Sequence, residues 1–196
     1  MVRRKTTVLL LVLAALAFLP FGLPRFYTYL TALIVTMGLL STSLNFALGF
    51  GGIYQLHHAV FYGVGAYATA VMIAKLGYNP WLAFIAGPLA AAALSLVMGI
   101  ICIRLSKLYF GMLQISLGSL VWAVVYRWYS FTGGDDGIHG ISVPSMIGSS
   151  KGAYYFTMIV AGLAMFFMYR ILRSPFGRTL LAIRENERRA RFLGIP

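Results

Sequence analysis

The chain has 196 residues, 60% hydrophobic and only 10% charged. A soluble domain carries about 25% charged residues, so this composition excludes one and points to an integral membrane protein. The net charge of +12 does not mark a nucleic-acid binder, which needs a basic face on a soluble module; here the charge is confined to loops and ends.

Arg3, Arg4 and Lys5 precede the apolar run Val8–Leu19, a signal-peptide layout. Ala15-Leu16-Ala17 imitates a cleavage site but lies inside the run rather than after it, so the segment reads as a retained anchor. A crossing needs about 20 apolar residues. Six stretches approach that length: approximately Thr7–Leu23, Tyr29–Leu48, Ala59–Ala74, Trp81–Ile103, Tyr109–Trp128 and Ala153–Ile171. The third is short. The predicted fold is all-α: a polytopic transmembrane helical bundle of about six spans over residues 1–171, then a cytoplasmic helical segment over 172–196.

Basic residues set the orientation. With the N-terminus cytoplasmic, the inner side holds Arg3, Arg4, Lys5, Arg104, Lys107, Arg170, Arg173, Arg178, Arg184, Arg188, Arg189 and Arg191, which is 12 of the 16 basic residues. Both termini are then inside. Tyr27, Tyr29, Tyr78, Trp81, Trp128, Tyr129, Tyr154 and Tyr155 fall near outer ends, where amphipathic rings favour the headgroup level. The single cysteine, Cys102, excludes an internal disulfide.

Gly49 through His58 interrupts the apolar pattern with three glycines in four residues, then Tyr54, Gln55, His57 and His58. Each glycine disfavours helix by about 1 kcal/mol relative to alanine. Irregular backbone at membrane depth survives only inside protein or against a watery cavity, and such breaks often line solute paths. Gly49, Gly52, Gln55 and His58 are the candidate pathway residues; a plain cytoplasmic turn is the alternative. Adjacent histidines diverge on a helix, so they make a poor chelating pair. The glycines lack the spacing and lysine of a phosphate-binding loop. In the fourth stretch, Gly87, Ala91, Ser95 and Gly99 form a small-residue stripe for close helix packing.

The outer loop holds Asp135, Asp136 and His139, which reads as a glycine-rich turn rather than a metal site. All four acids, Asp135, Asp136, Glu185 and Glu187, lie outside the spans. Carriers driven by protons or sodium usually keep an ionisable residue in the membrane. No nucleophile–base pair stands out, so an enzyme is not expected. The last segment opens with Ser174-Pro175, suited to a helix N-cap and first turn, and closes on Gly194 and Pro196. It is expected to be one charged helix that docks on a partner or rests on anionic lipid.

Three places resemble the LivM-like permeases of ABC importers for branched-chain amino acids, with urea and amide permeases as relatives. They are Leu44-Asn45 through Gly52 with His58-Ala59 and Gly63–Tyr67; Leu108-Tyr109-Phe110 with Thr132-Gly133-Gly134 and Asp136-Gly137; and Leu172–Arg178 with Ala182–Glu187 and Leu193-Gly194-Ile195. The chain departs at Gln55–Ala59, where the family commonly has Ser-Leu-Gly-His-Ala, and at Asp135. The resemblance implies ABC ATPase subunits, a second LivH-like permease and a periplasmic solute-binding protein as partners. No cofactor is bound by this chain, and ATP is used by the ATPases. Ser174, Gly177, Leu181, Ile183, Glu185, Asn186, Glu187 and Gly194 would form the ATPase-coupling segment. Leu180, Phe192 and Leu193 would add apolar contact, and Glu185 and the arginines would set register. Family members continue with further spans after this motif, so the chain is expected to be a partial permease or a truncated product. A urea or amide permease and a non-transporting membrane fragment are the alternatives.

Overall fold

The computed structural model describes residues 16, 18–22, 24–102, 105 and 107–194. Most of the predicted first span lies outside them, as does Pro196. The described elements are α1 (Arg25–Asn45), running on into a π-turn at Phe46–Phe50, α2 (His58–Ala74), α3 (Pro80–Cys102), α4 (Lys107–Arg127), the single turn α5 (Tyr129–Thr132), α6 (Ser150–Arg173), α7 (Pro175–Glu185) and α8 (Glu187–Phe192). No strand occurs among the described residues, and the chain is an all-α membrane protein.

Among the described residues, four helices are long and apolar enough to cross a bilayer: Arg25–Phe50, Pro80–Cys102, Tyr109–Arg127 and Ser150–Arg173. The predicted third span differs. At 17 residues, α2 extends only about 26 Å, short of a hydrocarbon core of about 30 Å, because the irregular stretch before it consumes the residues that would lengthen it.

Two compact units divide the chain. One comprises residues up to Thr42 with Ser145–Arg173. Its anchor is Tyr154, fully buried, whose hydroxyl donates to the Leu16 carbonyl at 2.7 Å. Tyr154 therefore leaves the predicted aromatic belt, because its polar tip is satisfied inside the protein. Lys151 Nζ sits 4.7 Å from the Phe21 ring centroid.

The other unit comprises Ser43–Pro144 and Ser174–Pro196, and its centre is the α2–α3 pair. Gly65 and Gly87 face each other across it. A Cβ on Gly87 would lie 2.2 Å from Thr69 Oγ1 and 2.8 Å from the Gly65 carbonyl oxygen; one on Gly65 would meet Ala91 at 3.6 Å. The first half of the predicted stripe is thus a packing face. Its second half is not: Gly99 has nothing within 4 Å and Ser95 bonds back to the Ala92 carbonyl. Pro88 sits inside α3 and cannot donate to the turn before it. The Thr69 hydroxyl lies 2.9 Å from the Gly65 oxygen and 3.3 Å from the Ala83 oxygen, so it links α2 to α3 one residue before Phe84, whose carbonyl Pro88 does not serve. The outer surface of α3 remains apolar, with Leu89 and Leu96 64% and 67% exposed, as lipid or further helices require.

The long connection after α4 is held by side chains that donate to backbone carbonyls. Thr132 Oγ1 donates within reach of the Val125 and Trp128 carbonyls, and Lys75 Nζ donates to the Ser130 carbonyl at 2.6 Å. Gly133 and Gly134 take positive φ, and a Cβ on Gly133 would strike the Gly137 carbonyl at 2.1 Å.

Gly87→Ala should lower the thermal stability of the detergent-purified protein by about 1–3 kcal/mol, the usual range for overpacking. Gly99→Ala should leave it unchanged or raise it, since alanine favours helix. Equal effects of the two would refute the assignment of the packing face.

Candidate functional site

The break between α1 and α2 begins as a loosening of α1. Gly51 N–H donates to the Phe46 carbonyl, five residues back, at 3.2 Å; Gly52 N–H donates to Leu48 and Ile53 N–H to Ala47. Gly52 then takes φ +67°, a conformation that costs other residues about 1–2 kcal/mol. The chain runs on without helix until α2 starts at His58.

The polar groups after the glycines are met one by one. Gln114 on α4, almost fully buried, accepts the Leu56 N–H at 3.0 Å through Oε1. His58 lies 2.7 Å from Ser43 Oγ by Nε2 and 3.1 Å from Gln55 Oε1 by Nδ1. With that amide oxygen as acceptor, Nδ1 carries the proton and Nε2 accepts from Ser43. His57 behaves differently. It is 6% exposed, its ring meets Phe61 edge-on at 4.9 Å, and neither ring nitrogen has a hydrogen-bond partner. Burial lowers its pKa; the Gln114 amide is near enough to oppose this in part without meeting hydrogen-bond geometry. Gly118 makes the close approach possible, since a Cβ there would stand 3.1 Å from His57 Cβ.

The C-terminal segment is two helices, not the one expected. Ser174 caps α7, accepting from Gly177 N–H at 3.4 Å, with Pro175 in the first turn. Asn186 then turns extended (φ −160°, ψ 101°), ends α7, and caps α8 by accepting from Arg189 N–H at 3.0 Å. Asparagine competes with helix through its own side chain and favours such caps; that was the signal available at Asn186. Glu187 pairs with Arg191 at 2.7 Å, one turn on. Gly194 closes the segment at φ +81°.

The segment returns to the break. The Arg184 guanidinium donates to the Gly49 carbonyl, and its stem occupies the space beside Gly52, where a Cβ would lie 2.9 Å from Arg184 Cγ. Between them lies an open groove of about 930 Å³, lined by Gly49, Gly52 and Tyr54 on one side and by Ile183, Glu185, Asn186 and Glu187 on the other. The structure thus joins two predicted pathway residues, Gly49 and Gly52, to four predicted coupling residues. Gln55 and His58 belong to the polar cluster with Ser43. Ser174 and Gly177 serve the α7 cap, Leu181 is half-buried, and Gly194 ends α8. Ser43, Gln114 and Arg184 were not singled out as site residues. Gln114, a lone amide inside an apolar run, carried a signal for its role.

Among the described residues no group of three His, Cys, Asp or Glu side chains could hold a metal ion.

Residues 26–196 match the family described as the permease component of branched-chain amino acid transport systems. The chain belongs to this permease family. It is 26% identical to the high-affinity branched-chain amino acid transport system permease protein LivM of Escherichia coli K12, over 99% of this chain and 52% of that protein. The Salmonella typhimurium LivM gives 25% over the same shares. A probable branched-chain amino acid transport permease protein LivM of Methanocaldococcus jannaschii gives 27% over 76% of this chain and 48% of that one. The chain spans about half the length of these relatives. No solved structure matches.

Gln114→Leu should leave the Leu56 N–H unmet and cost about 1–3 kcal/mol, read as a lowered Tm of the purified protein. An unchanged Tm would mean that water, not Gln114, satisfies the break.

Proposed function

We propose that the chain forms membrane-spanning helices of a permease subunit in an ATP-driven importer of branched-chain amino acids across the inner membrane. The observation that carries this is the family match over residues 26–196, which takes in the break, the polar cluster and α7–α8 together. Its partners are ABC ATPase subunits, a second LivH-like permease, a periplasmic solute-binding protein and lipid. The chain catalyses no reaction itself; ATP is bound and spent by the ATPases. Both termini face the cytoplasm and Tyr129–Gly152 the periplasm, the arrangement that puts 12 of 16 basic residues inside. The break lines or abuts the solute path, and α7–α8 is the coupling segment.

Exposure supports a division of roles within the coupling segment. Phe192 and Leu193 are 91% and 79% exposed, whereas Leu180, Leu181 and Ile183 are half-buried. The first pair are the apolar contacts, and the second group holds α7 to its own unit. A lipid-bound segment would depend on total positive charge, at about 1 kcal/mol per basic residue; a protein cleft would depend on shape and particular side chains. Gln55, which stands where the family commonly has serine and bonds to His58, leaves open a second solute reading, a urea or amide permease.

Phe192→Ser and Glu185→Arg, placed in the full-length permease, should each reduce co-purification of the ATPase. Glu185→Arg adds positive charge and so should strengthen lipid attachment. Retention of the ATPase by both variants, with loss of membrane attachment of the isolated segment on neutralising Arg188, Arg189 and Arg191, would favour the lipid surface.

No acidic residue lies in a helix long enough to span. Uptake in proteoliposomes should therefore require ATP and ignore an imposed pH gradient. Leucine should compete for uptake; competition by urea or a short amide instead would establish the second solute reading.

A further inference from the structure

The carbonyls at the end of α1 form a row. Phe46, Ala47 and Leu48 accept from the N–H groups of Gly51, Ile53 and Gly52. The next carbonyl, that of Gly49, accepts from the guanidinium of Arg184, 135 residues away. A helix C-terminus is electronegative and short of donors, so a cation there is favourable. Arginine suits the position because its planar fork fixes direction as well as charge. A second observation is independent of that bond. The Arg184 stem fills the volume that any side chain on residue 52 would need, and Gly52 holds φ +67° there. Head and stem of one side chain therefore grip both ends of the glycine stretch.

We infer that Arg184 is a positioning residue that straps α7 to the break, so that displacement of α7 is carried to Gly49–Gly52. The inference rests on the reading of α7–α8 as the coupling segment and of the break as part of the solute path. An exposed arginine in water contributes little to stability. A strap matters instead when one of its two ends is moved. The Asn186 junction makes the grip directional: Arg184 lies in the last turn of α7, just before the chain changes course into α8. A push on α8 reaches the break through that turn.

The test uses the complete transporter in proteoliposomes, with Cys102→Ala as background and one reporter cysteine at a time. Tyr54→Cys reports on the break and Arg188→Cys on α8. Thiol labelling is compared without nucleotide and with the ATP-bound state trapped, beside solute moved per ATP hydrolysed. With Arg184 intact, both reporters should respond to nucleotide. In Arg184→Gln, Arg188→Cys should still respond, Tyr54→Cys should not, and transport per ATP should fall about tenfold or more, in keeping with the loss of a charge-assisted hydrogen bond. Arg184→Lys should lose less, since it keeps the charge but not the fork, and it serves as the test should Arg184→Gln fail to accumulate. Gly52→Ala, which displaces the stem, should resemble Arg184→Gln with Arg184 in place. A Tyr54→Cys response or a transport ratio unaltered in Arg184→Gln overturns the strap. An Arg188→Cys site that ignores nucleotide even with Arg184 intact overturns the coupling reading itself, and the strap with it.

Discussion

A peptide group in hydrocarbon has no water to bond, so a chain that leaves the helix there must bring its own donors and acceptors. Most of what is distinctive in this protein answers that constraint. α1 loosens into a π-turn before it stops, keeping three carbonyls occupied. Gln114 comes in from α4 to take the Leu56 N–H. Arg184 arrives from α7 to take the Gly49 carbonyl. Thr69 on α2 brings its hydroxyl to the Ala83 carbonyl of α3. In the last three, a polar side chain on one helix reaches the backbone of another element. The irregular stretch is therefore fixed by α4 and α7 as much as by its own glycines.

Spans and their class were legible because apolar runs of about 20 residues have few other uses. The break was legible because glycine clusters and polar side chains contradict such a run. Its partners were not. Nothing local to Arg184 says that its guanidinium turns toward residue 49 rather than toward water or lipid. The pairing is made by tertiary folding across 135 positions. The division of the last segment at Asn186 was readable in principle, yet proline and glycine at the two ends outweighed one asparagine in the middle. The small-residue stripe of α3 misled in its second half, since spacing alone cannot say where a neighbouring helix ends its contact.

The two histidines show how far residue type falls short of role. His58 is bonded on both sides, to Ser43 and Gln55. His57, one position earlier, is buried against Phe61 with neither nitrogen partnered. Both rings lie near Phe61, yet one belongs to a polar cluster and the other to a packing face. The same residue type thus serves as a polar hub and as an aromatic filler within two positions.

The separation of 135 residues between Gly49 and Arg184 also has a meaning in time. A ribosome adds roughly 5–20 residues per second, so the Gly49 carbonyl is made on the order of ten seconds before its guanidinium exists. In that interval the α2–α3 hairpin, local in sequence, can already form. The contact of α7 with the glycine stretch is therefore among the later ones to close, added to a hairpin already in place.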